Sequence, residues 1–190
     1  MTRRLAALCA LLSLITLPGG CPQGGTNEPS ALAGTWTGEL ACTSTQSIDG
    51  GEGVPFETTR DVALTFDDDG RPTGLPVLGF SNAPTQTTGI NEVGETETLT
   101  SQSGTLAITR VLTVRSATYT ATTARVIIDI DYEASGGALT QTGTGVLTVF
   151  AEIADGVLDV TLDVDYDITQ AADTLSFDTT ETLACEGALN

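Results

Sequence analysis

An arginine stands in the middle of an apolar strand face. Residues 104–115 alternate so that Leu106, Ile108, Leu112 and Val114 share one side, and Arg110 falls at the centre of it. A guanidinium in that place is costly unless it is paired or meets a wet cavity. Glu181 holds the same kind of position in the last alternating segment, between Phe177 and Leu183. Both side chains are expected to point into one interior, where they pair with each other or line the polar patch of a ligand cavity. The plainer alternative is a bulge that turns either residue outward.

The remaining acidic residues suggest less chemistry. Asp159, Asp163, Asp165 and Asp167 lie in a row on the outer side of one strand, and Asp129 and Asp131 neighbour them if their strands are close. Calcium favours clustered carboxylates, but side chains two apart on a strand stand about 7 Å from each other. A solvated acidic face is the simpler reading. Asp67-Asp68-Asp69-Gly70 reads as a turn, since it lacks the spaced glutamate of an EF-hand. The chain has no histidine, which removes His-dependent triads and most general-base schemes. It has no Gly-rich phosphate loop and no G-x-S-x-G elbow. A glycosidase-type pair among 25 acidic residues stays open, although one tryptophan offers little for stacking sugars. The expectation is a protein without catalytic activity, cofactor or metal.

These residues must be positioned by strands. Residues 157–169, VLDVTLDVDYDIT, put Leu158, Val160, Leu162, Val164, Tyr166 and Ile168 on one face. Residues 125–132 do the same with Val126, Ile128, Ile130 and Tyr132, and Val62, Leu64 and Phe66 make a shorter run. Asp67–Pro72, Ser135-Gly136-Gly137 and Asp155-Gly156 supply hairpin turns. Nothing after residue 21 has helical periodicity over a useful length. Eight or nine strands are expected, at 34–43, 58–67, 73–80, 94–101, 103–116, 118–133, 137–154, 157–169 and 173–186. Long strands with short turns predict an all-β fold, an up-and-down antiparallel barrel, with a β-sandwich as the alternative. The inward glycines Gly38, Gly143 and Gly145 either leave space in that barrel or allow its strands to bend.

The N-terminus speaks to compartment. Arg3 and Arg4 precede an apolar run from Leu5 to Leu17, and Pro18-Gly19-Gly20 leads to Cys21. That is a secretory signal, too short to span a bilayer comfortably. Cys21 resembles the lipobox cysteine of bacterial lipoproteins, where the thiol is acylated and becomes the new N-terminus. Here Pro18 stands third before the cysteine, where that family prefers an aliphatic residue, and ordinary signal-peptide cleavage is the rival. The resemblance implies a protein of the cell envelope, anchored by lipid on the periplasmic or extracellular face. Cys9 leaves with the signal. If Cys21 carries lipid, Cys42 and Cys185 remain as one pair, and an oxidising compartment favours their disulfide. Their bridge must bring the first and last strands together.

Residues 22–32 read as a flexible tether, and residues 33–190 as one domain of adequate size for a core. After Cys21 the chain carries 25 acidic residues against five arginines and no lysine. Such a surface repels phosphate backbones, so no nucleic-acid partner is expected, and a lipid tether suits a membrane better than electrostatic adsorption. Gly34-Thr35-Trp36 opens the first strand of the meander and resembles the Gly-x-Trp opening of lipocalins and lipocalin-like barrels. The resemblance implies that Trp36 plugs one end, that Arg110 or Arg60 packs on it, and that the interior holds a small apolar or amphipathic ligand with Arg110, Glu181 and Trp36 at its site. The opposing reading is a non-catalytic acidic module with a solid core, presented to a protein partner. Fold alone does not choose between them.

Overall fold

The computed structural model describes residues 28–79 and 85–190. Cys21, the signal segment and the first part of the tether lie outside the described residues.

Ten strands follow one another: β1 (Gly34–Ile48), β2 (Val54–Phe66), β3 (Pro72–Val77), β4 (Gln86–Thr88), β5 (Thr96–Ser103), β6 (Leu106–Tyr119), β7 (Thr123–Gly136), β8 (Leu139–Ala154), β9 (Val157–Ala172) and β10 (Leu175–Leu189). No helix occurs among the described residues. The strands form one antiparallel sheet in the order β4-β3-β2-β1-β10-β9-β8-β7-β6-β5. The sheet curls into a nearly closed barrel. This excludes the sandwich and exceeds the eight or nine strands expected. The additional strand is β4, three polar residues with no alternation to betray it. The hairpins also reach further than the apolar pattern: β1 extends to Ile48 and β2 starts at Val54, because chain pairing continues past the core.

Alternation sets the wall. Inward residues of β7 and β9 are buried and their outward neighbours are mostly exposed, residue by residue. Turns fix this register. Gly156, at φ +81°, and Asp155, at φ 53°, make the left-handed corner between β8 and β9. At the β2–β3 turn the Asp67 side chain accepts hydrogen bonds from the backbone N–H of Asp69 (3.0 Å) and Arg71 (2.8 Å). The carboxylate thus serves its own turn.

Cys42 and Cys185 are cross-strand partners on β1 and β10, bonded to each other with α-carbons 4.0 Å apart. They sit in mid-strand rather than at strand ends. The junction they staple is a full ladder of eight register pairs, Ala41–Glu186 to Ile48–Thr179. Barrel closure falls elsewhere, between β4 and β5, where no backbone ladder forms among the described residues.

One end of the barrel is plugged. Leu32 is fully buried there. The backbone N–H groups of Ser30 and Ala31 donate to the carbonyls of Asp68 (2.8 Å) and Ala121 (2.9 Å), so the incoming chain crosses from the β2–β3 turn to the β6–β7 turn. Trp36 stands at this end, partly buried, its Nε1 donating to the Leu32 carbonyl at 2.8 Å. At the other end the hairpins overhang. Ile48, Val54, Phe56 and Leu175 lie on the inward side of their strands yet are all more than half exposed, forming an apolar lip.

Candidate functional site

The interior changes character along the barrel axis. From the plugged end to the middle it is aliphatic: Leu40, Leu64, Leu112, Ile128, Leu147 and Leu162 are all buried to 1% or less. Towards the lip, the same inward rows carry Arg110, Tyr132, Gln141, Tyr166, Gln170, Thr179, Glu181 and Ser44. An aliphatic half is thus stacked on a half that is mixed, its polar groups interleaved with buried Ile108, Ala134 and Ile168.

Arg110 lies at 0% exposure, between its cross-strand partners Leu99 on β5 and Tyr132 on β7. A bulge does occur in β6, but it falls at Arg115, between Val114 and Ser116, and leaves Arg110 in register and inward. Its guanidinium carbon lies 5.8 Å from the Tyr132 ring centre, a cation–π contact. Arg110 therefore packs on Tyr132, and not on Trp36. Arg110 Nη1 donates to Gln86 Oε1 at 2.9 Å. Its Nε and Nη2 are buried and make no hydrogen bond of good geometry among the described residues, although the guanidinium lies close enough to the Tyr166 phenol to draw on it.

Glu181 is 4% exposed and inward, and is the cross-strand partner of Tyr166. Ser44 Oγ donates to Glu181 Oε1 at 3.1 Å. Tyr132 and Tyr166 meet edge to face, with ring centres 6.0 Å apart. From Tyr132 a chain of hydrogen bonds runs across four strands, β7 to β10. The phenol donates to Gln141 Oε1 (2.9 Å), Gln141 Nε2 to Gln170 Oε1 (2.9 Å), and Gln170 Nε2 to Thr179 Oγ1 (3.0 Å). Burial pushes the Tyr166 phenol up to about 12, against the pull of Arg110, and raises that of Tyr132 for the same reason. Both phenols are neutral near pH 7 and can donate and accept hydrogen bonds.

The inward glycines admit these rings. A β-carbon on Gly145 would meet Tyr166 Cδ1 at 2.5 Å, and one on Gly143 would meet Ile168 Cγ1 at 2.9 Å. At the apolar end a β-carbon on Gly38 would meet Leu189 Cδ2 at 2.9 Å. At Gly38 and Gly145 the space is taken by a neighbouring side chain, and at Gly143 first by the cross-strand backbone, the Asp167 carbonyl oxygen and Ile168 Cα.

Of the residues read from sequence as a ligand site, Arg110 and Glu181 come to the same end of the interior. Trp36 does not join them: it lies eight residues from Ser44 along β1, about 25 Å of strand. The acidic row faces outward, as expected, but Asp129 and Asp131 do not neighbour it. Strand β8 intervenes, with Val146 between Asp129 and Asp165, and Thr144 between Asp131 and Asp167. Asp129 is bonded to Arg115 instead. Sequence reasoning missed Gln141, Gln170 and Thr179, although counting by twos, back from Leu147 and Leu183 and forward from Leu162, places all three inward. Gln86 left no such signal.

Comparison with protein-family models, with curated proteins and with solved structures finds no match.

Proposed function

We propose that this chain is an exported envelope protein, lipid-anchored at Cys21, whose lipocalin-like barrel binds a small amphipathic molecule at the polar end of its interior. One observation carries the binding reading: Arg110 is wholly buried beside two neutral phenols, and among the described residues its Nε and Nη2 have no hydrogen bond of good geometry, the Tyr166 phenol being the nearby group that its charge acts on. Such donors are expensive to bury and are met by an acceptor that enters, whether water or a ligand. The apolar lip at Ile48, Val54, Phe56 and Leu175 suits the other half of an amphipathic molecule. The described chain begins at the plugged end. A tether from Cys21 to Glu28 spans at most about 25 Å when extended, so the lipid would hold the plugged end near the membrane and direct the lip away from it.

The second reading, a non-catalytic acidic module with a solid core, is favoured by the filled glycine positions. Native mass spectrometry of the protein purified from its own membrane separates the two. A small molecule carried in the native state, absent after denaturation and lost in Arg110→Leu, supports binding. A native mass equal to the lipidated chain, with no uptake from an alkyl carboxylate and alkyl alcohol series, supports the solid module.

A further inference from the structure

We propose that the apolar lip of the barrel, Ile48, Val54, Phe56 and Leu175 within a ring of carboxylates, is a docking surface for a cationic amphipathic segment of a partner protein. The inference concerns the outer rim and stands whether or not a molecule occupies the interior.

Six large apolar side chains stand exposed among the described residues, and four of them are at this end, with exposures from 52% to 75%. Register makes them neighbours. Ile48 is opposite Thr179 on β10, so Phe177 and Leu175 continue its inward row. Val54 and Phe56 are the β2 partners of Gln46 and Ser44 on the other side of β1. Together they form a surface on the order of 400 Å2, the size at which an exposed apolar patch marks an interaction site.

Each stretch of chain that carries the patch also carries acids. Asp49 and Glu52 lie in the β1–β2 turn, Glu57 follows Phe56, Asp173 lies two residues before Leu175, and Asp178 follows Phe177; all five are exposed. No cation balances them. The chain has no lysine. Arg110 is buried and Arg60 half-buried, while Arg71, Arg115 and Arg125 stand towards the plugged end.

The surface is shaped before anything binds. The Asp49 N–H donates to the Asp178 carbonyl at 2.8 Å, and the Asp178 N–H donates to Asp49 Oδ1 at 2.9 Å. Thr169 Oγ1 donates to Asp178 Oδ1 at 2.8 Å. The β1–β2 and β9–β10 hairpins are thereby tied together, and a partner does not meet the cost of ordering them.

Charge and area select the occupant. A second copy would bring two sets of five carboxylates face to face over about half of the roughly 800 Å2 per partner that a stable interface needs. An anionic bilayer meets the same repulsion. A polypeptide segment with apolar side chains on one side, flanked by lysine or arginine, complements both the patch and its rim.

The test titrates the full-length protein with a dye-labelled peptide whose leucines form one helical face and whose lysines form the other, read by fluorescence anisotropy. A peptide of the same composition in shuffled order is the control. The patterned peptide is expected to bind at least about tenfold more tightly than the shuffled one, and Phe56→Ser with Leu175→Ser to weaken it about tenfold, since two exposed apolar contacts are lost. Glu52→Gln with Glu57→Gln should weaken it several-fold and flatten its salt dependence. Hydrogen exchange should slow in residues 46–57 and 173–179 when the peptide is bound. No binding, equal binding of the shuffled peptide, or unchanged affinity in the serine variant would each overturn the proposal, the last two because charge alone would then hold the peptide. Self-association at sedimentation equilibrium that the serine variant abolishes would assign the lip to a second copy. Binding to phosphatidylglycerol vesicles that the same variant abolishes would assign it to a bilayer. Either result overturns a protein partner. Native mass spectrometry reports an interior ligand separately, so this surface and the ligand reading fail independently.

Discussion

The barrel is joined at two special places, and they are built in opposite ways. The β1–β10 junction, where the chain's first and last strands meet, has eight register pairs and a covalent bond. The β4–β5 seam, internal to the chain, has side-chain bonds alone among the described residues. The long-range junction is the one that carries a staple. Its strands are separated by 143 residues, so bringing them together carries a large loop-closure entropy, and a cross-link removes much of that from the unfolded chain. The seam joins neighbours in sequence, where closure is less costly and weak bonds suffice. One junction is held by a ladder and a covalent bond, the other by side-chain hydrogen bonds.

Removing the staple is the strongest way to disturb this comparison. Cys42→Ala with Cys185→Ala should lower unfolding stability by roughly 4–5 kcal/mol in denaturant titration, with the ladder intact in the folded state. A loss below about 1 kcal/mol would mean that the unfolded chain keeps its ends together without the bond. Leu162→Ala, cross-strand to Cys185 and fully buried, should cost about 3 kcal/mol in the same titration, as a cavity in the fixed part of the wall.

The mixed half next to the seam should respond to alkali. The folded chain keeps the Tyr166 proton up to about pH 12, whereas the unfolded phenol loses it near pH 10. The stabilisation is therefore complete below about pH 10 and falls as the pH rises towards 12, by roughly 2–3 kcal/mol. Tyr166→Phe should remove that part of the fall in stability measured between those values. Some of it will persist, because the Tyr119 phenol is also pushed up to about 12 by burial.

The smallest effect belongs to the seam. Glu97→Ala removes the acceptor for Thr88 and Gly89 and should cost about 1 kcal/mol locally. It should appear as faster hydrogen exchange in β5 with little change in the global midpoint. A global loss as large as that of Leu162→Ala would show that the two regions are one cooperative unit.

Much of this was legible beforehand. Strict alternation in β6, β7 and β9 set which residues line the interior, because a strand's side chains repeat every two residues whatever surrounds it. That is why Arg110 and Glu181 could be placed inside from pattern alone. Gln141 and Gln170 obey the same period but were overlooked: Gln170 falls just past the expected strand 157–169, and Gln141 lies inside 137–154 on a row whose neighbours Gly143 and Gly145 give no apolar signal. Trp36 was grouped with Arg110 and Glu181 although it stands far from them along the barrel: parity gives a residue's side of the sheet and says nothing of its height.

The sequence by itself determined the all-β class, the inward and outward sides of its long strands, the turn chemistry and the two cysteines that could meet. These follow from local rules of period and backbone geometry. The tertiary structure decided the strand count, the place of the seam, the stacking of a mixed half on an aliphatic half, and the bond between Arg110 and Gln86. Those depend on strand stagger and on contacts between residues far apart in the chain. Three polar residues such as Gln86–Thr88 become a strand only because β3 lies beside them, and no local pattern carries that information.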